Sequence, residues 1–575
     1  MINRELSKIF FEMSGYLRMQ NVAFKPQAYL KAARALENLR ESAAEIYQKG
    51  GLKSLEEIEG VGESIASKME EYIKTGKIKA YQELKRSLPI DLSQLSSVEG
   101  LGPRRAKLIY QKLGVRTIRD LEKAAKENKI APLPGFGEKT QKNILENTIF
   151  LKADTGRMLL GEAAYPAEKI FNEIKRLKYV KSASIAGSYR RRKETIGDID
   201  IVAAGNHPDK IIEFFISRPY VVKIWGAGPT KASVRMQEGF NADLRIVPEE
   251  SYGAALQYFT GSKEHNVALR KIAISKGCKL NEYGLFKKGR KIAGRSEEEI
   301  YQKLGLQWVA PELRENQGEI ESASEQKLPL LVEIKDIKGD LHCHSNWDGG
   351  KNSIEEMAQE AKKKGYEYIG ISDHTKFLKI ERGLDEAQIR KRNKEIDKIN
   401  AQNTGFKILK GCEANILNDG SLDLADEALA ELDYVIAGVH SSLKMESSQI
   451  TERVIKALKN PNVDIISHPT GRIIRRRDES QIDLEALFKA ARDLKKVLEI
   501  NAYPDRLDLK DINIRRAKSS GIKMVINTDA HAKEQLEFME FGVSQARRGW
   551  AEKNDILNTE SAENLLNFFK NEKQR

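Results

Sequence analysis

The chain has 575 residues, 40% of them hydrophobic and 31% charged, with a formal net charge of +13. That length is too great for one hydrophobic core and implies roughly two to four domains. The composition excludes collagen-like and disordered chains, and no apolar run reaches the length of a membrane span. Cys278, Cys343 and Cys412 are far apart and form no CxxC, which argues against a disulfide framework and suits a reducing cytoplasm. The N-terminal MINRELSKIFFEMSGYL alternates charged and apolar residues and lacks a signal-peptide core. The charge is unevenly spread. Residues 1–300 carry 53 Lys and Arg against 37 Asp and Glu, whereas the remainder carries 44 against 47. A basic front half points to a polyanion, most simply nucleic acid, although a lysine-rich solvated surface would give the same balance.

Residues 1–86 and 87–150 read as helices separated by glycine turns. IEGVGESIA (58–66), VEGLGPRRA (98–106) and LPGFGEKT (133–140) share the pattern apolar-x-Gly-apolar-Gly just before a helical run. The candidate phosphate-binding glycines are Gly60 and Gly62, Gly100 and Gly102, and Gly135 and Gly137. Glycine permits the tight turn and lets another backbone approach. Amides at the following helix start can then hold a phosphate without reading sequence.

From about residue 180 the period changes to two, and SASIAGS, DIDIVAAG and NADLRIVP read as short strands. In a strand, residues i and i+2 share a face. Asp198 and Asp200 therefore point together while Ile199 and Ile201 face the core. Asp243 in NADLRIVP is a third carboxylate. Three carboxylates on neighbouring strands can hold two divalent ions for an in-line phosphoryl displacement, and magnesium suits an incomplete carboxylate cage completed by substrate phosphates. Gly187-Ser188 and Arg190, Arg191 and Arg192 precede the pair and suit a triphosphate. Gly197 leaves room for a phosphate beside the aspartates.

Helical segments return from 262. The polar, acidic stretch PELRENQGEIESASEQK (311–327) reads as a linker, after which strands and helices alternate to the end in apparent βα units. Six of the eight histidines lie beyond residue 340. Of the seven apolar segments GDLHCH, YIGISDH, ILKGCEA, YVIAGVH, DIISHP, LEINA and VINTDAH, six carry His, Asp or Glu at the C-terminal end, where parallel β/α barrels place active sites. The candidate ligands are His342, His344, Asp348, His374, Glu413, His440, His468, Asp529 and His531. Imidazole with carboxylate suits zinc, manganese or iron. Nine ligands imply two or three ions, which can activate water toward a phosphoester. Cys343 and Cys412 should face the core. For Arg472, after SHPTG, a phosphate contact and a solvated surface position are both open.

AGSYRRRKETIGDIDIV (186–202) resembles the nucleotidyltransferase motif of family X DNA polymerases, the family of DNA polymerase beta. The resemblance covers about residues 1–310, and the glycine turns resemble that family's helix–hairpin–helix motifs. It implies that Ser188, Arg191 and Gly197 hold the triphosphate, that Asp198 and Asp200 bind both metals, and that Asp243 binds the catalytic metal and helps activate the primer 3′-hydroxyl. YFTGSKEHNVALR (258–270) also matches. Tyr258, Phe259 and Gly261 would screen the incoming sugar, and Asn266 and Arg270 would contact the nascent base pair and template. Asn241 stands where polymerase beta has a basic residue, so the orientation of the primer oxygen is open. Lys68 matches the lyase lysine of the family, Lys25 and Lys31 match neighbouring basic positions, and Ser64 replaces another lysine; for Lys68 a lyase role and a solvated helix-surface role are both open. Residues 335–575 resemble the polymerase-and-histidinol-phosphatase (PHP) domain, with all nine metal positions filled.

The fold these resemblances imply is multidomain, α+β followed by α/β. Helix–hairpin–helix domains would span 1–86 and 87–150, a nucleotidyltransferase palm with a mixed sheet 151–250, a thumb 251–310 and a linker 311–334. A distorted (β/α)7 PHP barrel would follow over 335–575. The expected activity is gap filling in base excision repair together with PHP-domain 3′–5′ exonuclease action, with Mg2+ or Mn2+ at the palm and two or three Zn2+, Mn2+ or iron ions at the PHP site. Gapped or primer–template DNA and dNTPs are the expected partners of a cytoplasmic monomer with no membrane association. One alternative makes the PHP domain a phosphatase or endonuclease tethered to DNA by the front half. Another is a DNA-binding scaffold with both metal sites inert.

Overall fold

The computed structural model describes residues 2–20, 22–37, 42–58, 60–92, 95, 98, 101–152, 157–403 and 405–573. The chain divides into two units, Met1–Thr155 with Arg475–Arg477, and Gly156–Ile474 with Asp478–Arg575.

The first unit is helical. Helices Ile2–Met19, Lys25–Glu37, Ala43–Glu56 and Glu63–Thr75 bury Leu6, Phe10, Met13, Ala33, Leu36, Leu55 and Met69 in one core. Helices Pro103–Leu113, Ile118–Lys126 and Glu138–Lys152 build a second around Leu101, Ala106, Ile109, Leu121 and Ile144. The first helix serves both cores, with Leu6 and Phe10 in one and Tyr16 and Met19 in the other. Apolar residues recurring at helical spacing on two faces of one amphipathic helix account for this double use.

The second unit opens with a short pair, β1 (Met158–Leu159) against β3 (Thr195–Ile196). A mixed five-stranded sheet follows, of β2 (Val180–Ile185), β4 (Asp198–Gly205), β5 (Val221–Gly228), β6 (Lys231–Met236) and β7 (Asn241–Val247) in the order β2-β4-β7-β6-β5. β4 and β7 run parallel and the other pairs antiparallel. Ile199, Ile201, Ala242 and Leu244 are buried on one face, in a core with Leu160, Ala163, Ile170 and Phe215 from the helices. The aspartates alternate with these residues and so lie on the opposite face.

A three-stranded antiparallel sheet, β8 (Cys278–Asn281), β9 (Gly284–Lys287) and β10 (Arg290–Ala293), follows helices Tyr252–Thr260 and Lys263–Ser275. The 311–327 stretch, read as a linker, is ordered here. Leu313, Ile320 and Ala323 join the core of Leu269, Leu285, Ile300 and Tyr301, and Arg314 is fully buried between the carboxylate of Glu297 and the carbonyl of Val309. Composition misread it because the stretch anchors itself with few apolar side chains and with buried charge pairs.

The remaining strands are all parallel. β11 (Gly339–Cys343), β12 (Tyr368–Ile371) and β13 (Lys407–Lys410) form one sheet. β14 (Glu413–Asn415), β15 (Ile436–Gly438), β16 (Ile465–Ile466), β17 (Val497–Asn501) and β18 (Met524–Asn527) form the other. Single parallel bridges, His374 to Glu413 and Cys343 to Ala530, join the sheets at both ends. Helices separate most of the strands, so the expected βα alternation is present. Cys343 and Cys412 are buried as expected. No helix among the described residues is long and apolar enough to cross a membrane.

Candidate active sites

In the helical unit, Gly62 and Gly102 cap helices Glu63–Thr75 and Pro103–Leu113 without any side-chain hydrogen bond, leaving the first amides of the former available, whereas Pro103 opens the latter without an N–H. Gly60 and Gly135 take positive φ, +82° and +79°. A Cβ on Gly62, Gly102, Gly135 or Gly137 would meet nothing within 4 Å, so these turns face open space. Gly100 lies outside the described residues. A basic hollow beside Gly102 is lined by Arg18, Arg104 and Arg105. Lys68 lines a separate cavity of about 630 Å³ with Lys25, Tyr29 and Ser64. Its ammonium donates to the carbonyl and the hydroxyl of Ser64, at 2.8 and 3.0 Å. Burial, reinforced by the charge of Lys25, lowers the Lys68 pKa and so favours the neutral amine that a nucleophile needs.

In the second unit, the parallel register sets Asp200 opposite Asp243 and Asp198 opposite Asn241. One oxygen from each of Asp198, Asp200 and Asp243 lies within 4.8 Å of the others. Desolvation, with Asp198 and Asp243 alongside, raises Asp200 to about 7. Desolvation and Asp243 also raise Asp198, against the opposing charge of Arg157. Like charges held this close need a cation. Gly187, at φ +61°, is where the backbone crosses the carboxylates: a Cβ there would stand 2.1 Å from Asp200 Oδ2. Gly197 admits the Arg157 guanidinium, whose nitrogen would lie 3.0 Å from a Cβ.

The three arginines separate. Arg190 pairs bidentately with Glu297 at 2.8 Å and donates to Thr260, which ties the loop to the thumb core rather than to a triphosphate. Arg192 lies over the Tyr189 ring. Arg191 donates to the Thr260 carbonyl and, at 3.1 Å, to Glu315; its other terminal nitrogen has no acceptor among the described residues. Ser188 precedes this group on the short helix Gly187–Arg190. Gly261 packs on Arg191, where a Cβ would approach the guanidinium to 3.0 Å. Tyr258 and Phe259 meet edge to face. Asn266 is occupied by Gln257 and the Tyr258 carbonyl, and Arg270, on the same helix, is half-buried. Beside Asn241 the structure supplies the missing cation from the next strand: Arg235, in register with Asn241, donates to it at 3.2 Å. A scan of one strand could not reveal this cross-strand substitution.

All nine PHP-type candidates converge. Glu413 is the hub. Its oxygens lie 3.3 Å from His342, 2.8 Å from His374, 3.2 Å from His440 and 3.0 Å from His468. His344 contacts Asp348 at 2.7 Å and Asp529 at 3.3 Å, and stacks on His531 at 4.1 Å. The test of metal fit is the unpartnered polar atoms. His342 Nε2, His344 Nε2, His374 Nδ1, His440 Nδ1, His468 Nδ1 and Glu413 Oε2 are buried and make no hydrogen bond, which costs free energy unless cations complete the site. Burial opposes the charge on Glu413, yet His342, His440 and His374 hold its carboxyl well below the usual range. Glu499, within the LEINA segment, is a residue that sequence reasoning missed. It faces His342 Nδ1 at 2.7 Å and fixes the ring so that Nε2 points into the cluster. The cue was a charge in an apolar strand, as for Asp198. Arg472 is not a solvated surface residue. It is buried and pairs with Glu194, on the segment preceding β4, and with the Leu507 carbonyl.

Family models match in the same order: helix–hairpin–helix domain over 1–78, SAM-like helix–hairpin–helix tandem over 92–147, DNA polymerase beta thumb over 255–315 and PHP domain over 340–503. A Bacillus subtilis protein named DNA polymerase/3′-5′ exonuclease PolX is 38% identical over 570 residues, 98% of each chain. The chain belongs to the PolX family, the family X DNA polymerases with a C-terminal PHP domain. Shorter relatives share part of it. A probable phosphatase of Caldicellulosiruptor saccharolyticus is 30% identical over 41% of this chain and 96% of its own length. Another, from Caldanaerobacter subterraneus, is 34% identical over 33% of this chain and 75% of its own length. In the PolX frame, the palm carboxylates and the histidine cluster are two separate metal-ready centres in one unit.

Proposed function

We propose that this chain is a DNA-directed DNA polymerase that fills short gaps during base excision repair, and that its PHP centre shortens 3′ ends as a 3′–5′ exonuclease. The observation that carries the polymerase reading is the parallel register bringing Asp200 and Asp243 face to face beside Asp198. Asp198, Asp200 and Asp243 would hold two Mg2+ or Mn2+ ions, hard cations suited to an all-oxygen set; bound there, they lower the pKa of the primer 3′-hydroxyl and neutralise the triphosphate. The chain's own groups do the rest. Ser188 and Arg191 bind phosphate oxygens, and Gly187 and Gly197 clear the approach. Arg235 with Asn241 orients the primer end. Tyr258, Phe259 and Gly261 screen the sugar, with Asn266 and Arg270 behind them. Gly60, Gly62, Gly100, Gly102, Gly135 and Gly137 grip DNA backbone, and Lys68 is positioned as a lyase nucleophile toward an abasic sugar.

His342, His344, Asp348, His374, Glu413, His440, His468, Asp529 and His531 would hold two or three zinc, manganese or iron ions, in keeping with the mixed imidazole and carboxylate donors; bound there, these polarise a phosphoester and activate water. Glu499 orients His342, and the deep burial of the cluster keeps solvent from its floor. The names of the two shorter relatives favour one second reading for this centre, a phosphatase acting on phosphomonoesters.

The test is one gel. Protein is incubated with labelled one-nucleotide-gapped DNA and Mg2+ or Mn2+, with and without dNTPs. Extension with dNTPs and shortening without them is the expected result. Asp198→Ala should abolish extension alone and His344→Ala shortening alone. Shortening without any extension would overturn the polymerase reading, and removal of only a 3′-phosphate would move the PHP centre to the phosphatase reading.

A further inference from the structure

At the open side of the PHP cluster lies Arg506, whose guanidinium makes a loose ion pair with Asp529 and, among the described residues, no hydrogen bond. Arg506 lies on the loop after β17 (Val497–Asn501). Its Nε is 3.7 Å from Asp529 Oδ2, beyond hydrogen-bond distance, and no acceptor among the described residues receives a hydrogen bond from its guanidinium. Asp529 does not depend on it. Its Oδ2 accepts from Asn501 at 3.1 Å, and its Oδ1 faces His344 Nε2 at 3.3 Å and His342 Nε2 at 3.6 Å. Two other buried guanidiniums of this domain have their terminal nitrogens engaged, Arg472 by Glu194 and the Leu507 carbonyl, Arg392 by Asp373 and the Gly411 carbonyl.

Exposure shows where a substrate enters. The side chains of His342, His344 and Asp348 are fully buried, whereas that of His531 is 28% exposed and that of Arg506 21%. The mouth of the cluster is therefore on the side of His531 and Arg506. The loop carrying Arg506 is held rigidly. Asp508 accepts from the Thr470 amide and hydroxyl and from the Gly471 amide at 2.8–3.0 Å, and Gln545 and Arg472 donate to the Leu507 carbonyl. A guanidinium with unused planar donors, carried on an anchored loop beside a set of metal ligands, matches a phosphate in charge and in fork geometry.

We propose that Arg506 is a catalytic residue of the PHP centre that grips the non-bridging oxygens of the scissile phosphate. The inference rests on the nuclease reading of that centre. In the hydrolysis, water forms the new O–P bond and the P–O3′ bond to the penultimate nucleotide breaks. A proton from the water ends on that 3′-oxygen, and a nucleoside 5′-monophosphate leaves. Arg506 stays protonated and offsets the charge that builds on the phosphate.

The experiment uses full-length, metal-loaded protein carrying Arg506→Ala or Arg506→Lys. Four quantities are read: shortening of a labelled single-stranded oligonucleotide, gap filling, metal content by mass spectrometry, and inhibition by inorganic phosphate. In Arg506→Ala, shortening should fall about 100-fold and phosphate inhibition at least about tenfold, with metal content and gap filling unchanged. Added guanidinium ion should restore part of the lost activity. Arg506→Lys, which lacks the fork, should recover less than half of it. Shortening within about threefold of wild type, or metal content falling in step with activity, would overturn the assignment. If the wild-type protein shortens no 3′ ends, the nuclease reading falls and takes this one with it. If it does and Arg506→Ala does so equally, only the present inference falls.

Discussion

Gly187→Ala probes how tightly the palm carboxylates are packed. The backbone at Gly187 has φ +61°, where an L-residue costs roughly 1–2 kcal/mol. The new methyl would also lie 2.1 Å from Asp200 Oδ2, 3.0 Å from its Cγ and 3.3 Å from its Cβ. Rotating the carboxylate alone cannot relieve all three contacts, so Asp200 must leave its rotamer, at about 0.5–1.5 kcal/mol more. The expected stability loss is on the order of 2–3 kcal/mol, read as a shift in urea midpoint. The functional loss should be larger in proportion, because displacing a metal-binding carboxylate by about 1 Å costs about 100-fold in rate. Gap filling should fall by that factor, while 3′ shortening stays within about twofold. Gly277→Ala is the control. Gly277 has φ +69°, but a Cβ there meets nothing within 4 Å, so it should lose stability through strain alone and keep gap filling. Wild-type gap filling by Gly187→Ala, or an equal loss in Gly277→Ala, would refute the argument.

Glu315→Gln weakens the acceptor shared by Arg191 at 3.1 Å and Arg548 at 3.1 Å; the KM for dNTP should rise about five- to tenfold with kcat little changed, and a fall in kcat alone would contradict the positioning role. Arg472→Ala strands Glu194 in the contact it makes with the PHP-type half, so urea stability should drop by about 3 kcal/mol, and adding Glu194→Gln should recover much of it. Asp200 titrates near 7 when folded, against 3.8 ordinarily. Because its folded pKa is raised, its contribution to stability is fully present below about pH 4 and is lost as pH climbs through 7. In EDTA, wild type should therefore lose up to about 4 kcal/mol between pH 4 and 8 relative to Asp200→Asn, and Mg2+ should reverse the trend; parallel pH curves for the two proteins would refute the shift.

The chemistry of both centres was legible in the sequence because it depends on residue type at short spacing. Alternation alone aligned Asp198 with Asp200, and charge near the ends of apolar segments marked eight of the nine PHP-type ligands, Asp348 lying four residues beyond the first segment. Glycine pairs before helices marked turns at which Gly62, Gly102, Gly135 and Gly137 face open space, although Gly60 packs against Lys31. What sequence could not supply was the partner of each charge, since pairing is made across strands and between distant segments. Only the register brought Arg235 to Asn241, and only packing gave Arg190 to Glu297 and turned Arg472 onto Glu194. The 311–327 stretch looked like a linker by composition, yet it delivers Arg314 to Glu297, Glu319 to His265 and Glu315 to Arg191. Local spacing thus determined which groups could do chemistry. Tertiary structure decided which arginines remain available for it, because both terminal nitrogens of Arg190 are taken by the buried Glu297 carboxylate, whereas Arg191 keeps one terminal nitrogen without an acceptor among the described residues.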